Sequence, residues 1–165
     1  MSIGQASRIR ALAGPAVKIP ESVLVVIHTF TGMVLLLERA DHPGFWQSVT
    51  GSRNHADEPL PDTCRREVLE ETGIDSPADD YLDWHLSHRY EIYPAWRSRY
   101  APGVTHNTEH VFSLGLAGVV PVKLEPSEHL RFQWLPWRDA ADRCFSQTNV
   151  AAIRALAGRG LLDGC

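Results

Sequence analysis

Gly51-Ser-Arg-Asn-His-Ala-Asp-Glu-Pro-Leu-Pro-Asp-Thr-Cys-Arg-Arg-Glu-Val-Leu-Glu-Glu-Thr-Gly-Ile74 is the stretch that decides how the chain folds and what it does. Its second half reads as a short helix stopping at Gly73, a residue type that readily takes the left-handed conformation at helix ends. Glu67, Glu70 and Glu71 stand at i, i+3 and i+4, so their carboxylates share one helical face. Cys64, Val68 and Thr72 recur at i+4 on a neighbouring stripe, which is expected to face the core. Three carboxylates so close repel one another. A hard divalent cation relieves that repulsion, and Mg²⁺ typically takes one or two carboxylates together with a substrate's phosphates. The competing reading is a solvated acidic face with Arg65 and Arg66 as ion-pair partners.

The surroundings favour the metal. The segment resembles the Nudix box, the loop-helix signature of the Nudix hydrolases: Gly, five residues, Glu, seven residues, then Arg-Glu-aliphatic-any-Glu-Glu-any-Gly-aliphatic. Arg66-Glu67-Val68-Leu69-Glu70-Glu71-Thr72-Gly73-Ile74 fits the second half at every defined position, and Glu58 lies at the family spacing before Arg66. Gly51 is one residue too far from Glu58, so the loop Ser52 to Asp57 carries a single insertion that puts its geometry in question.

Outward from the box, Ser22 to His28 is rich in β-branched residues and reads as a central strand, with Thr31-Gly32 as a turn and Met33 to Arg39 as its partner. Asp41-His-Pro-Gly44 breaks the chain before a short strand, Phe45 to Thr50. After the helix, Ser76-Pro77 marks a connection. Tyr81 to Ile92 reads as one or two strands, Tyr93 to Tyr100 as a second extended segment, and Ala101 to Asn107 as a polar loop. Glu109 to Leu116 reads as a strand, Pro121 to Glu128 as a loop and Leu130 to Leu135 as a short strand. Pro136 starts a helix. The last helix is expected over Asn149 to Ala157, capped by Thr148, with Val150, Ile153 and Leu156 facing inward and Gly158 and Gly160 ending it. The fold expected is α+β, a Nudix-like mixed sheet flanked by helices in an α/β/α sandwich. Residues 18–165 form a single domain in this reading, and 1–17 a flexible tail.

Composition sets outer bounds. The 165 residues suffice for one buried core. A formal net charge of −4 without a long basic run disfavours nucleic acid as a partner. No apolar run is long enough to cross a membrane, and Met1 to Val17 lacks the apolar core of a secretory signal. Cys64, Cys144 and Cys165 form neither a paired framework nor a close ligand cluster, which fits a reducing cytoplasm. Cys64 reads as a small core residue and Cys165 as a free terminal thiol. Oligomeric state is written in none of these signals.

A second resemblance is narrower. Arg99-Tyr-Ala-Pro-Gly-Val-Thr-His-Asn-Thr-Glu109, with Phe45-Trp-Gln-Ser-Val-Thr-Gly51 and Glu128-His-Leu-Arg-Phe-Gln-Trp134, is similar to the bacterial dihydroneopterin triphosphate diphosphatases, a Nudix subfamily of folate biosynthesis. The resemblance implies Mg²⁺, with Mn²⁺ as a substitute, held by Glu67 and Glu71. It implies a role for Glu109 as a further ligand or as the base, a task for which Glu70 is the other candidate and in which Glu71 would share. By the same resemblance Lys18, Arg39, Thr50 and, more weakly, Ser127 contact substrate, while Arg66 braces the site through Glu70 or a loop carbonyl. Lys18, Arg39 and Glu109 each have a plain reading as surface residues. Trp46, Tyr90, Trp96 and Tyr100 are candidates for stacking on a pterin or purine, at least two of them being expected in the core.

Three functions follow in order. The first is Mg²⁺-dependent hydrolysis of dihydroneopterin triphosphate to the monophosphate and pyrophosphate. The second is the same chemistry on an ordinary or oxidised nucleoside triphosphate. The third is a weakly catalytic nucleotide-binding module, against which the complete set Glu67, Glu70 and Glu71 stands.

Overall fold

Strand β1 (Glu21–Thr29) is the axis of the fold, and it is buried from Val23 to Thr29 because both faces of the sheet are covered. That explains its unbroken apolar run, where a strand with one wet face would alternate. The computed structural model describes residues 17–164; the tail expected over 1–17 falls outside it apart from Val17, as does Cys165. Strand β2 (Met33–Arg39) follows the Thr31-Gly32 turn with the boundaries expected. The short strand expected over Phe45 to Thr50 is instead two, β3 (Trp46–Gln47) and β4 (Val49–Ser52). Ser48 divides them because they take different partners, β3 pairing with β2 and β4 with β1.

Helix α1 (Leu60–Thr72) carries the box. Gly73 caps it at φ +72°, donating its N–H to the Leu69 carbonyl at 2.9 Å. Cys64, Val68 and Thr72 are fully buried, as the i+4 stripe requires. Strand β5 (Tyr81–Glu91) is one strand, with a register irregularity between Asp83 and Ser87. The segment after it is not extended: Pro94–Arg99 is a 3₁₀ helix closed by Trp96 N–H to Tyr93 O and Tyr100 N–H to Arg97 O. Proline at its first position has the φ that such a turn needs. Strand β6 (His106–Leu116) starts three residues earlier than expected. Strand β7 (His129–Pro136) and helix α2 (Trp137–Arg143) follow. Helix α3 (Gln147–Gly158) begins two residues early, and its cap is Ser146, whose hydroxyl accepts from the Asn149 N–H. Thr148 is not the cap because its hydroxyl is engaged elsewhere.

The sheet is mixed, in the order β3-β2-β1-β6-β5, with β4 on β1 and β7 on β2. β6 runs parallel to β1 along the whole of β1, and the remaining pairs are antiparallel. Val23, Val25 and Ile27 pack with Cys64 and Val68 under α1, whereas Leu24 and Val26 pack with Ile153 and Leu156 under α2 and α3. This is the α/β/α sandwich. Val150 is half-buried at the edge of the second layer. Among the described residues no helix is long and apolar enough to cross a membrane.

Candidate active site

Register delivers the site. Leu24 pairs with Thr50, Val23 with Gly51 and Ser22 with Glu109, so β4, β1 and β6 bring the end of the short strand beside the start of the long one. Successive strand residues point to opposite faces. Thr50 therefore shares the face of α3 with Glu109, while Gly51 faces α1.

At Gly51 a side chain cannot coexist with the box. A Cβ built there would lie 1.9 Å from Glu67 Cδ, so the missing side chain is what lets the Glu67 carboxylate lie on the strand. The extra loop residue does not move Gly51 away. It is absorbed in the turn beyond, where Glu58 N–H donates to His55 O (3.1 Å) and Asn54 N–H donates to Glu58 Oε2 (2.6 Å).

Arg66 joins the loop to the helix. Its Nε donates to Glu58 Oε1 at 2.9 Å, its Nη1 to Glu67 Oε1 at 2.6 Å and its Nη2 to the Ser52 carbonyl at 2.8 Å. Glu70 stands 3.6 Å from Nη1 and is more than half exposed. Beside the guanidinium, the Glu58 carboxyl is held down to about 2. Glu67 goes the other way, up to about 7, chiefly through burial and then the charge of Glu71, with Arg66 opposing. Glu71, 3% exposed, is raised well above the usual carboxylate range by burial and by Glu128. Its Oε2 contacts His129 Nε2 at 3.0 Å.

A cleft of about 340 Å³ opens above Glu71. Lys18, Arg39, Thr50, Glu71, Glu109 and Ser127 all line it, so the four substrate-contact candidates and two of the site carboxylates share one cavity. Gln47 ties two of these together, accepting from Arg39 Nη1 (3.1 Å) and donating to Thr50 Oγ1 (3.2 Å). A second cleft of about 350 Å³ adjoins it; Arg39, Gln47, Thr50, Tyr90, Trp96 and Glu109 line both, and Tyr93 and Phe145 only the second. Trp46 is core at 4% exposure, whereas Tyr90, Trp96 and Tyr100 all line the first cleft, so one of the four aromatic candidates is core rather than two.

Glu109 is buried, which removes its reading as an exposed strand-opening residue. Thr148 Oγ1 donates to its Oε1 at 2.9 Å, which is why that hydroxyl does not cap α3. Burial raises the Glu109 carboxyl, and the Thr148 bond partly offsets the rise. Ser127 is exposed and bonded to Glu125.

The metal-ligating atoms that converge are a different trio from Glu67, Glu71 and Glu109. Among the described residues, Glu71, Glu128 and His129 bring one ligand atom each within 4.8 Å of one another. The sequence reading has Glu128 and His129 in a stretch that carries the subfamily resemblance and gives neither a ligand role. The adjacent Glu-His pair at a strand start has no spacing that marks it, and only β7 pairing with β2 carries it to α1. Two carboxylates on a hard-oxygen wall, a buried Glu67 one turn away and a glycine leaving room for it make a donor set that fits a divalent cation.

The family model described as NUDIX domain matches residues 18–156, and the chain belongs to the Nudix family. It is a Nudix hydrolase. Over 139 residues it is 43% identical to the dihydroneopterin triphosphate diphosphatase of Escherichia coli K12, covering 82% of this chain and 91% of that one. The Haemophilus influenzae enzyme of the same name is 41% identical over 138 residues, 81% of this chain and 85% of its own. The solved structure of the E. coli dihydroneopterin triphosphate pyrophosphohydrolase superposes with a TM-score of 0.79 at 41% identity, covering 87% of this chain and 99% of that one.

Proposed function

We propose that this protein is a Mg²⁺-dependent pyrophosphohydrolase that converts dihydroneopterin triphosphate to dihydroneopterin monophosphate and pyrophosphate, a cytoplasmic step of folate biosynthesis. The observation that carries the reading is the pair of adjoining clefts. The first holds Lys18, Arg99 and the carboxylates suited to a divalent metal, the second adds Tyr93 and Phe145, and Arg39, Thr50, Tyr90 and Trp96 line both. A flat heterocycle with a charged phosphate chain matches that division, and two relatives more than 40% identical carry the corresponding activity in their names.

Hydrolysis of a phosphoanhydride needs charge neutralised on the phosphates, a water placed in line and a base for its proton. Glu67, Glu71 and Glu128 would hold the cation, which when bound neutralises phosphate charge and favours ionisation of the attacking water. Lys18 and Arg39 offer donors to phosphate oxygens. Arg66 fixes Glu67 against Gly51, so that carboxylate is set before substrate arrives. Glu109 is the base we favour. It lies where the two clefts meet, its burial raises its affinity for a proton, and Thr148 fixes one of its oxygens while the other stays free to accept. Glu70, more exposed and beside Arg66, suits an outer electrostatic role.

Glu71→Gln tests the metal assignment. The amide keeps the shape and removes a buried charge, so the protein should stay folded, lose Mn²⁺ binding in titration calorimetry and lose at least about a hundredfold in turnover. Near-normal rates at saturating Mg²⁺ would remove Glu71 from the ligand set.

A further inference from the structure

Asp41, in the break after β2, gathers two arginines. Arg39 donates to it through Nε (2.8 Å) and Nη2 (2.7 Å), and Arg99 through its own Nη2 (3.0 Å). Arg39 is fixed further by Gln47 and by the Trp96 ring, whose centroid lies 4.7 Å from its guanidinium carbon. Three of the five N–H donors of Arg39 are occupied, leaving one on each terminal nitrogen for a ligand. The Arg99 carbonyl accepts from the backbone N–H of Lys18 at 2.9 Å, which sets that residue beside the pair. Asp41 is thus one carboxylate shared by two guanidiniums, and two donors of Arg39 stay uncommitted.

Location says what the uncommitted donors meet. Lys18, Asp41 and Arg99 line the polar cleft with Glu71 and Glu128 and take no part in the aromatic one, while Arg39 belongs to both. We infer that Asp41 is a positioning residue that holds Arg39 and Arg99 as a paired guanidinium site for the two terminal phosphates of the substrate, the portion that leaves as pyrophosphate. Two planar forks fixed on one carboxylate present donors to neighbouring phosphate groups without first losing side-chain freedom. The inference rests on the triphosphate reading above, but not on the ring the substrate carries.

The test measures binding of inorganic pyrophosphate, with Mg²⁺ present, to the wild type, Arg99→Ala, Arg99→Lys and Asp41→Asn by calorimetry. Arg99→Ala and Asp41→Asn should each weaken it by about tenfold or more. Arg99→Lys should recover part of the loss, and binding of a nucleoside monophosphate should change less than about twofold. In turnover the same variants should raise KM more than they lower kcat. Asp41→Asn is decisive because it removes a negative charge beside the phosphates. Were Asp41 only a neutralising group, pyrophosphate would bind the variant more tightly, and that result overturns the inference. So does unchanged pyrophosphate binding by Arg99→Ala, or an equal loss for monophosphate and pyrophosphate with a lowered Tm. Identifying the product released by the wild type separates these failures from failure of the pyrophosphohydrolase reading.

Discussion

Gly51→Ala should separate the site from the fold. The new Cβ would lie 1.9 Å from Glu67 Cδ and 2.3 Å from both Cγ and Oε1, where non-bonded carbons ordinarily keep about 3.5–4.0 Å. The carboxylate must therefore retreat by about 1.5–2 Å. Nothing in the backbone resists alanine, since Gly51 is not among the glycines with positive φ. What yields is the end of a flexible side chain, together with its 2.6 Å bond from Arg66. Losing that charge-assisted bond costs about 1.5–3 kcal/mol, offset by about 0.4–1 kcal/mol for replacing glycine at a compatible position. Tm should then fall by only a few degrees, because about 1 kcal/mol moves a domain of this size by roughly 2–4 °C. Activity should suffer far more, since a misplacement of about 1 Å can cost about a hundredfold. Steady-state kinetics at saturating Mg²⁺ and a thermal melt on the same sample decide the matter. Turnover within about threefold of wild type would refute the claim that Gly51 exists to admit the Glu67 carboxylate.

Two further outcomes follow from the same geometry. Glu58 is held at about 2 by Arg66, below the ordinary 4.5, so the folded state binds fewer protons there than the unfolded one. Its contribution, up to about 3 kcal/mol, is present above pH 4.5 and is lost as pH falls towards 2; Glu58→Gln should be less stable at neutral pH and converge on wild type near pH 2 in denaturant melts, and parallel curves would contradict the pairing. Thr148→Val removes the donor that favours the ionised form of Glu109. The acid limb of kcat/KM should move to higher pH, and an unmoved limb would exclude Glu109 as the base.

Much of this was legible in the sequence because it was local. β1 and β2 announce themselves as unbroken apolar runs, and α1 announces its buried stripe, its acidic face and its stop at Gly73. Cys64 is buried as a small core residue. What escaped depends on contacts between distant segments. The Pro94–Arg99 turn is held by i+3 backbone bonds that leave no apolar period, so Tyr93 to Tyr100 reads as extended. Thr148 has a good capping side chain, but Glu109, 39 residues away, takes it, and Ser146 caps instead. Glu128 and His129 reach Glu71 only through β7 pairing. The inserted loop residue is a local departure whose harmlessness is tertiary, because the turn takes it up while β1 holds Gly51 in register.

The most direct test supplies the purified protein and Mg²⁺ with dihydroneopterin triphosphate and a panel of ordinary and oxidised nucleoside triphosphates, comparing kcat/KM and identifying the released product. The account predicts a clear preference for the pterin and release of pyrophosphate. Preference for a purine triphosphate would contradict the substrate while leaving the site chemistry standing; release of single phosphate, or tight binding without turnover, would contradict the central claim.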